Sequence, residues 1–454
     1  MSEQLEGSQA KLGKAPILPL IIKMSLPSMI SMLIQALYNV VDSIYVSRLG
    51  ENALSAVSLV YPIQLLYISV AVGTSIGLSS LISRRLGERR IDEAQKAADH
   101  GLILGLFHWA IFIIIGLFAS GPFCRAFSET PDLIDPAIAY CTICCLGSIF
   151  VMYSTSYEKI MQGGGNMIAP MWSMIAGAVT NIILDPIMIF GLLGCPALGV
   201  AGAAYATVIG QAVNCALNMI LMNKSKELPV KVNYKPFKVD FKIIKDIYQV
   251  GFPSIVMQSI TSITTICLNA ILVTFSETAV AVLGVYFKLQ SFVFMPVFGM
   301  NHGLMPIMGY NFGARNKQRL LEAFKYGCII ALIIMTTGMF AFKLLPAQLM
   351  SLFDAEGELL TIGIKALSTI SWCFPIAAVC IIMGTLFQAT GHGFNSLIVS
   401  VMRQLVVIVP VAYLLSKVAG LEGIWYSYPV AEFISLAVSL ILFIRLYKKE
   451  ISKL

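Results

Sequence analysis

Charge is what this sequence has least of. Asp, Glu, Lys and Arg make up 12% of its 454 residues, while 57% are hydrophobic. Soluble globular chains carry about a quarter charged residues. So little charge cannot cover a water-facing surface, so the chain reads as an integral membrane protein. Histidine is also sparse. His100, His108, His302 and His392 have no metal-ligand spacing among them, and they read as packing or interface residues. No stretch has the glycine and lysine spacing of a phosphate-binding loop, which excludes ATP as the driver. Of the 10 cysteines, Cys141, Cys144, Cys145, Cys215, Cys267, Cys328, Cys373 and Cys380 lie inside apolar runs. That placement suits small membrane-embedded residues and not a disulfide framework or a zinc site. The net charge of +7 is spread over loops. It speaks for membrane topology and against a nucleic-acid partner. The chain to Lys14 is polar and starts no cleavable signal peptide.

What the sequence has in abundance is apolar runs of spanning length. Six fall at about 17–47, 53–82, 98–121, 133–156, 167–191 and 198–222, and six more at 247–275, 278–308, 323–345, 359–388, 393–416 and 420–444. The lysine-rich stretch between the sixth and seventh is the longest polar connection. The expected fold is all-α, with twelve transmembrane helices in two pseudo-symmetric six-helix lobes. The expected divisions are an N-tail at 1–16, an N-lobe at 17–222, a linker at 223–246, a C-lobe at 247–444 and a C-tail at 445–454. Of the 31 Lys and Arg, 24 fall in the tails and the even-numbered loops and 5 in the odd-numbered loops. That bias places both termini in the cytoplasm of a multi-pass cell-membrane protein.

The halves repeat. A shift of 226 residues aligns Pro27 with Pro253, Gly73 with Gly299, Gly77 with Gly303 and Leu86-Gly87 with Phe312-Gly313. GVAGAAYA from Gly199 pairs with GLEGIWYS from Gly420 after a five-residue contraction. Six helices per half is an even number, so the repeats insert in the same orientation, an arrangement that points to alternating access.

The repeats differ in their polar residues. The first span carries Asp42, and a carboxylate at membrane depth costs roughly 2.5–3.5 kcal/mol on insertion scales. Gln35, Tyr38 and Asp42 share one helical face, whereas Asp42 aligns with Leu268 in the second half. The fifth span holds Asn181 and Asp185 one turn apart, aligned with Val407 and Val411. Pro186 frees the carbonyl of Ile182, and Tyr205 and Thr207 of the sixth span add hydroxyls. These oxygen-bearing groups suit a proton or a hard cation, and Asp42 and Asp185 would titrate as a pair if close. Lys288 is a candidate substrate contact or carboxylate partner. Arg403 reads as snorkelling outward, and Glu432, aligned with Gln211, as a packed or interfacial polar position. Methionines such as those between Met24 and Met32 fill core, and some line an adaptable pocket.

With LPSMISMLIQALYNVVDSIYVSRLG in the first span, LISRRLGERRIDEA after the second, YEKIMQGGGNMIAP before the fifth, TNIILDPIMIFG, GVAGAAYATVIGQ and LFQATGHG, the chain resembles the multidrug and toxic compound extrusion (MATE) family, in its DinF-like branch. The resemblance covers nearly the whole chain. It implies two six-helix lobes around a central cleft and export of organic, often cationic and amphipathic compounds in exchange for H⁺ or Na⁺. It implies a transporter and not an enzyme, with no cofactor besides the coupling ion. The expected partners are small-molecule drugs or toxins and the bilayer, and the expected state is a monomer. The branch's coupling site maps onto Asp42, Asn181, Asp185 and Thr207. Gln35 and Tyr38 match cavity positions, and Pro27 matches a proline where the first helix bends. The NorM-like branch uses acids in the seventh and tenth helices, which have none here. The acid of the family's RxxGEGN-like segment is also missing, since this chain reads MQGGGN. A flippase for lipid-linked or polyanionic substrates is the alternative. It calls for a basic cavity, for which the sequence offers only Lys288 and Arg403. An intramembrane aspartyl protease would need a GxGD-like context that neither aspartate has, and neither half offers a filter-like loop of a channel.

Overall fold

The computed structural model describes residues 9–127, 130–226, 228–234, 238–353 and 355–454. Apolar runs become helices because a backbone in lipid must satisfy its own hydrogen bonds. Among the described residues there are twelve long helices and no strand. The first half comprises α1 (Ile17–Ser47), α2 (Glu51–Gly87), α3 (Ile91–Ile114, prolonged to Arg125), α4 (Pro131–Gly163), α5 (Ile168–Phe190) and α6 (Val200–Lys224). The second comprises α7 (Phe241–Leu272), α8 (Glu277–Gly313), α9 (Lys317–Leu344), α10 (Gly357–Ala389), α11 (393–419) and α12 (421–449). The last two form one continuous helical run except at Gly420, whose φ of 63° and ψ of −148° break it. Its repeat mate Gly199 stands before α6 with φ 56° and ψ −130°. Both positions need the freedom of glycine.

The architecture matches the expected twelve-helix fold, with longer helices than the apolar runs suggested. Helix α7 begins at Phe241, six residues before the expected segment, because Asp240 caps its first turn through the backbone N–H of Lys242. Helix α8 runs on to Gly313, and α12 to Lys449. Such polar helical ends extend beyond an apolar core. Before α1, a short turn at Gln9–Lys14 folds back onto the bundle, with Leu12 fully buried.

The repeat has a direct physical expression. An added Cβ at Gly77 would meet the Ile247 carbonyl oxygen at 2.2 Å and the backbone of Gly251. One at Gly303, its mate, would meet the backbone of Met24 and Ser25. Gly73 packs against Ile255 and Gly299 against Met29. The Gly77–Gly251 contact mirrors Gly303–Ser25, and Gly73–Ile255 mirrors Gly299–Met29, under the 226-residue shift. Helix α2 therefore grips α7 as α8 grips α1, through small residues that let backbones approach closely. Gly87 meets Tyr310 and Gly313 meets Arg84 in the same relation.

Hydrogen bonds between the halves gather on the side of the termini. Ser25 Oγ donates to the Met300 carbonyl (3.3 Å), Ser80 Oγ to the Gln388 carbonyl (2.5 Å) and Asn311 Nδ2 to the Leu12 carbonyl (3.2 Å). Arg85 Nη2 lies 2.9 Å from Asp246 Oδ2, and Arg319 Nη2 donates to the carbonyl of Ala15 at 2.7 Å. Among the described hydrogen bonds, none joins the halves at the opposite ends of the helices. The bundle is shut on the side of the termini.

Candidate functional site

Helix α1 runs unbroken through Pro27, and Ser31 Oγ caps the Pro27 carbonyl at 3.0 Å. Its polar face carries Gln35, Tyr38 and Asp42, all half-buried. Gln35 Nε2 donates to Asn39 Oδ1 at 3.3 Å. Helix α5 is continuous through Pro186, so the Asp-Pro pair lies inside a helix and not at its boundary. The helix ends a turn later at Gly191, in the left-handed region. This length of α5 buries both Asn181 and Asp185, and α6 buries Thr207.

The three helices bring these groups together. With its amide turned toward Asp185, Asn181 donates to Asp185 Oδ2 at 3.0 Å and accepts from the backbone N–H of Thr207 at 3.1 Å. Tyr38 stands close to Thr207, Asp42 and Asp185. The Asp42 and Asp185 carboxyls lie within hydrogen-bond reach of each other. Asp42 Oδ1 is buried without a donor. Neither carboxylate belongs to an ion pair among the described residues, where Lys and Arg pair elsewhere. Two carboxyls cannot face each other as bare anions in a dry site. The arrangement holds together with a shared proton, or with a cation between the oxygens. The carboxyl and hydroxyl oxygens suit a hard cation, while Asn181 presents an N–H that steadies Asp185.

Four residues around this group escaped the sequence reading. Tyr67 stands beside Gln64 on α2, and Tyr140 beside Cys144 on α4; Tyr67 and Tyr140 both stand close to Tyr38. Their signal was the helical spacing of Gln64 with Tyr67 and of Tyr140 with Cys144 inside apolar runs. Lys288 has no described contact with the cluster. It is exposed, with Nζ 5.8 Å from the Phe353 ring centroid. Tyr205 is likewise exposed on α6.

The second half corrects the expectation for Arg403. It does not snorkel: Nη1 lies 3.1 Å from Glu432 Oε1, and the glutamate is buried. A π-helical stretch at Met402–Ile408 turns Arg403 inward. The hydroxyls of Tyr286 and Tyr428 and Oε2 of Glu432 remain buried without partners nearby. Lys159 follows the expected fourth span at 133–156 and so falls among the loop charges in the sequence, but the structure places it inside the bundle. It is 5% exposed within α4, and its Nζ lies 2.6 Å from His302 Nδ1. Among the described residues, no group of three or more His, Cys, Asp or Glu is placed to hold a metal ion.

Comparison with known proteins agrees with this architecture. The MatE family model matches residues 27–187 and again 253–414, once in each half. A multidrug export protein MepA of Staphylococcus saprophyticus is 28% identical over 424 residues, covering 92% of both chains. A solved outward-facing conformation of a multidrug resistance MATE family transporter of the MOP superfamily superposes with a TM-score of 0.91 at 29% identity over 98% of both chains. A MATE crystal structure in the straight conformation superposes at 0.92 with 30% identity over 99% of both. With two six-helix repeats, each matched by the family model, the chain belongs to the MATE family of multi-pass membrane transporters and is not an enzyme.

Proposed function

We propose that this chain exports small organic compounds, often cationic and amphipathic, in exchange for H⁺ or Na⁺ by alternating access. The observation that carries the reading is the Asp42–Asp185 contact, with an unpartnered oxygen and no basic group beside it. The second half has Leu268 and Val411 at the corresponding positions, so the scaffold does not require the pair. Asn181 and Thr207 complete the ion site, and Gln35 and Tyr38 line the adjoining substrate cavity. In this reading the lobes at 17–222 and 247–444 rock about the site, and the linker and both termini lie in the cytoplasm. The seal on the side of the termini fits an outward-facing state. Loading the pair with H⁺ or Na⁺ removes its repulsion, lets α1 bend about Pro27, and shrinks the pocket that held the drug. A ligand moves such an equilibrium only by its differential affinity for the two states.

Polyanion flipping gains no support. Arg403 is compensated by Glu432 and Lys288 is exposed. The test is efflux of ethidium or norfloxacin in everted vesicles. Asp42→Asn and Asp185→Asn should each abolish it, and wild-type efflux by both variants would sink the proposal.

A further inference from the structure

Alternating access, the reading on which this inference rests, requires the seal on the side of the termini to part. Most of that seal is backbone packed on small residues. One side-chain contact in it is different. Lys159 lies four residues before the end of α4, and His302 lies on α8 of the other half. The lysine Nζ is 2.6 Å from His302 Nδ1 and 2.7 Å from Gln162 Oε1. Glu158 Oε1 stands 3.9 Å away and accepts from Gln162 Nε2 at 2.7 Å.

A lysine–histidine contact has a fixed proton inventory. It holds with an ammonium donating to a neutral imidazole, or with an amine accepting from an imidazole N–H. It does not hold with both groups fully protonated, because Nδ1 then has no lone pair and two cations face each other in a buried site. The repeat supplies the control. A shift of 226 residues carries Lys159 onto Thr385 and His302 onto Ile76. Helices α2 and α10 meet as α8 and α4 do, so the scaffold builds this crossing without any ionisable group. The lysine–histidine pair is an addition to the fold, as Asp42 is.

Arg85 pairs with Asp246 across the same seam, and that pair is kept in the His302 variants below, which therefore isolate the lysine–histidine response. On α4 only Glu158 joins the network, through Lys159 and Gln162. Helix α1 from Met24 to Val41, α2 from Asn52 to Ser83 and α10 from Phe374 to Ala389 contain no Asp, Glu, Lys, Arg or His. On α9, Glu322 stands near Arg319 and Lys325 is exposed.

We propose that Lys159 and His302 are gating residues that form a single-proton lock across the lobe seam. The lock holds the side of the termini shut while the pair lacks one proton of full protonation, and it releases when that proton loads. Opening on this side is then favoured by acid on this side, separately from ion loading at Asp42 and Asp185.

Hydrogen–deuterium exchange of the full chain in lipid nanodiscs tests this. Exchange is read in peptides spanning the termini-side ends of α4 and α8, corrected for the chemical rate, at about pH 8 and about pH 4, the lower value chosen to load a second proton against the neighbouring charge. The wild type should exchange about tenfold faster at the acid value, as expected for losing one charge-assisted hydrogen bond. His302→Gln keeps an acceptor and cannot take up the proton, so it should exchange slowly at both values. His302→Ile, the residue of the symmetry mate, should exchange fast at both. If that variant does not fold, the wild type against His302→Gln still decides. A wild type indifferent to pH, or a glutamine variant that follows the wild type, overturns the lock. Drug efflux is measured separately, so a lock that responds to acid in a protein that moves no drug would fail the transport reading alone.

Discussion

At the scale of single residues, a few charges stand where the membrane makes them expensive. Asp42 and Asp185 face each other without a basic partner, an arrangement that costs stability and that the proposed function assigns to ion binding. Removing one negative charge relieves that repulsion. Asp42→Asn and Asp185→Asn are therefore expected to melt no lower than the wild type while losing efflux, the usual trade between stability and a strained site. Thermal unfolding of the purified variants beside their vesicle efflux checks this, and a large fall in melting temperature would instead mark the carboxylates as structural. Arg403 and Glu432 should behave in the opposite way. Arg403→Ala leaves a buried glutamate uncompensated and should destabilise by about 3–5 kcal/mol, whereas a double change to Arg403→Met with Glu432→Leu should recover most of that loss. Melting curves of the single and double variants give the comparison. The proposed coupling residues were legible in the sequence because carboxylates and an amide stood inside apolar runs with apolar mates in the repeat. Arg403 and Lys159 were not, because a basic residue near the end of a span looks the same whether it snorkels outward or is turned inward. Only the π-helical stretch at Met402–Ile408 and the approach of His302 to Lys159 decided those cases.

At the scale of helices, the interface between the halves is built by glycines whose α-hydrogens face backbone. At Gly77 a methyl group would sit 2.2 Å from the Ile247 carbonyl oxygen, in a backbone that has no room to move. Gly77→Ala and Gly303→Ala should each abolish recovery of folded protein. Gly284→Ala in α8, where nothing stands within 4 Å, should stabilise by up to about 1 kcal/mol through helix propensity. Size-exclusion profiles and melting temperatures separate these outcomes. Pro27 and Pro253 test another property of helices. Either proline removes one backbone hydrogen bond, but only Pro27 shares a helix with Asp42. Pro27→Ala should keep the fold and lower efflux, while Pro253→Ala should change efflux less. Equal losses would show that the prolines serve packing alone. Helix identity was legible from apolar length, and helix ends were not. Asp240 starts α7 among lysines that read as a loop, and Gly420 alone separates α11 from α12.

At the scale of the whole molecule, one scaffold is used twice, and the proposed function rests on departures from its own symmetry. The twofold grip of α2 on α7 and of α8 on α1 needs only small residues, and both halves supply them. What one half has and the other lacks is the pair of facing carboxyls in the first lobe, and the lysine–histidine contact across the seam. The symmetric part was readable as a fixed 226-residue register. The first departure was readable within it, and the second required three-dimensional proximity between residues 143 positions apart. The central claim is that the carboxyl pair exchanges its ion for drug. Purified protein in weakly buffered solution, titrated with ethidium with and without sodium, tests it most directly by reading the protons or sodium ions set free. The wild type should release an ion on drug binding, and Asp42→Asn and Asp185→Asn should release none. Release from both variants equal to that of the wild type, or drug binding by the wild type that frees neither ion, would contradict it.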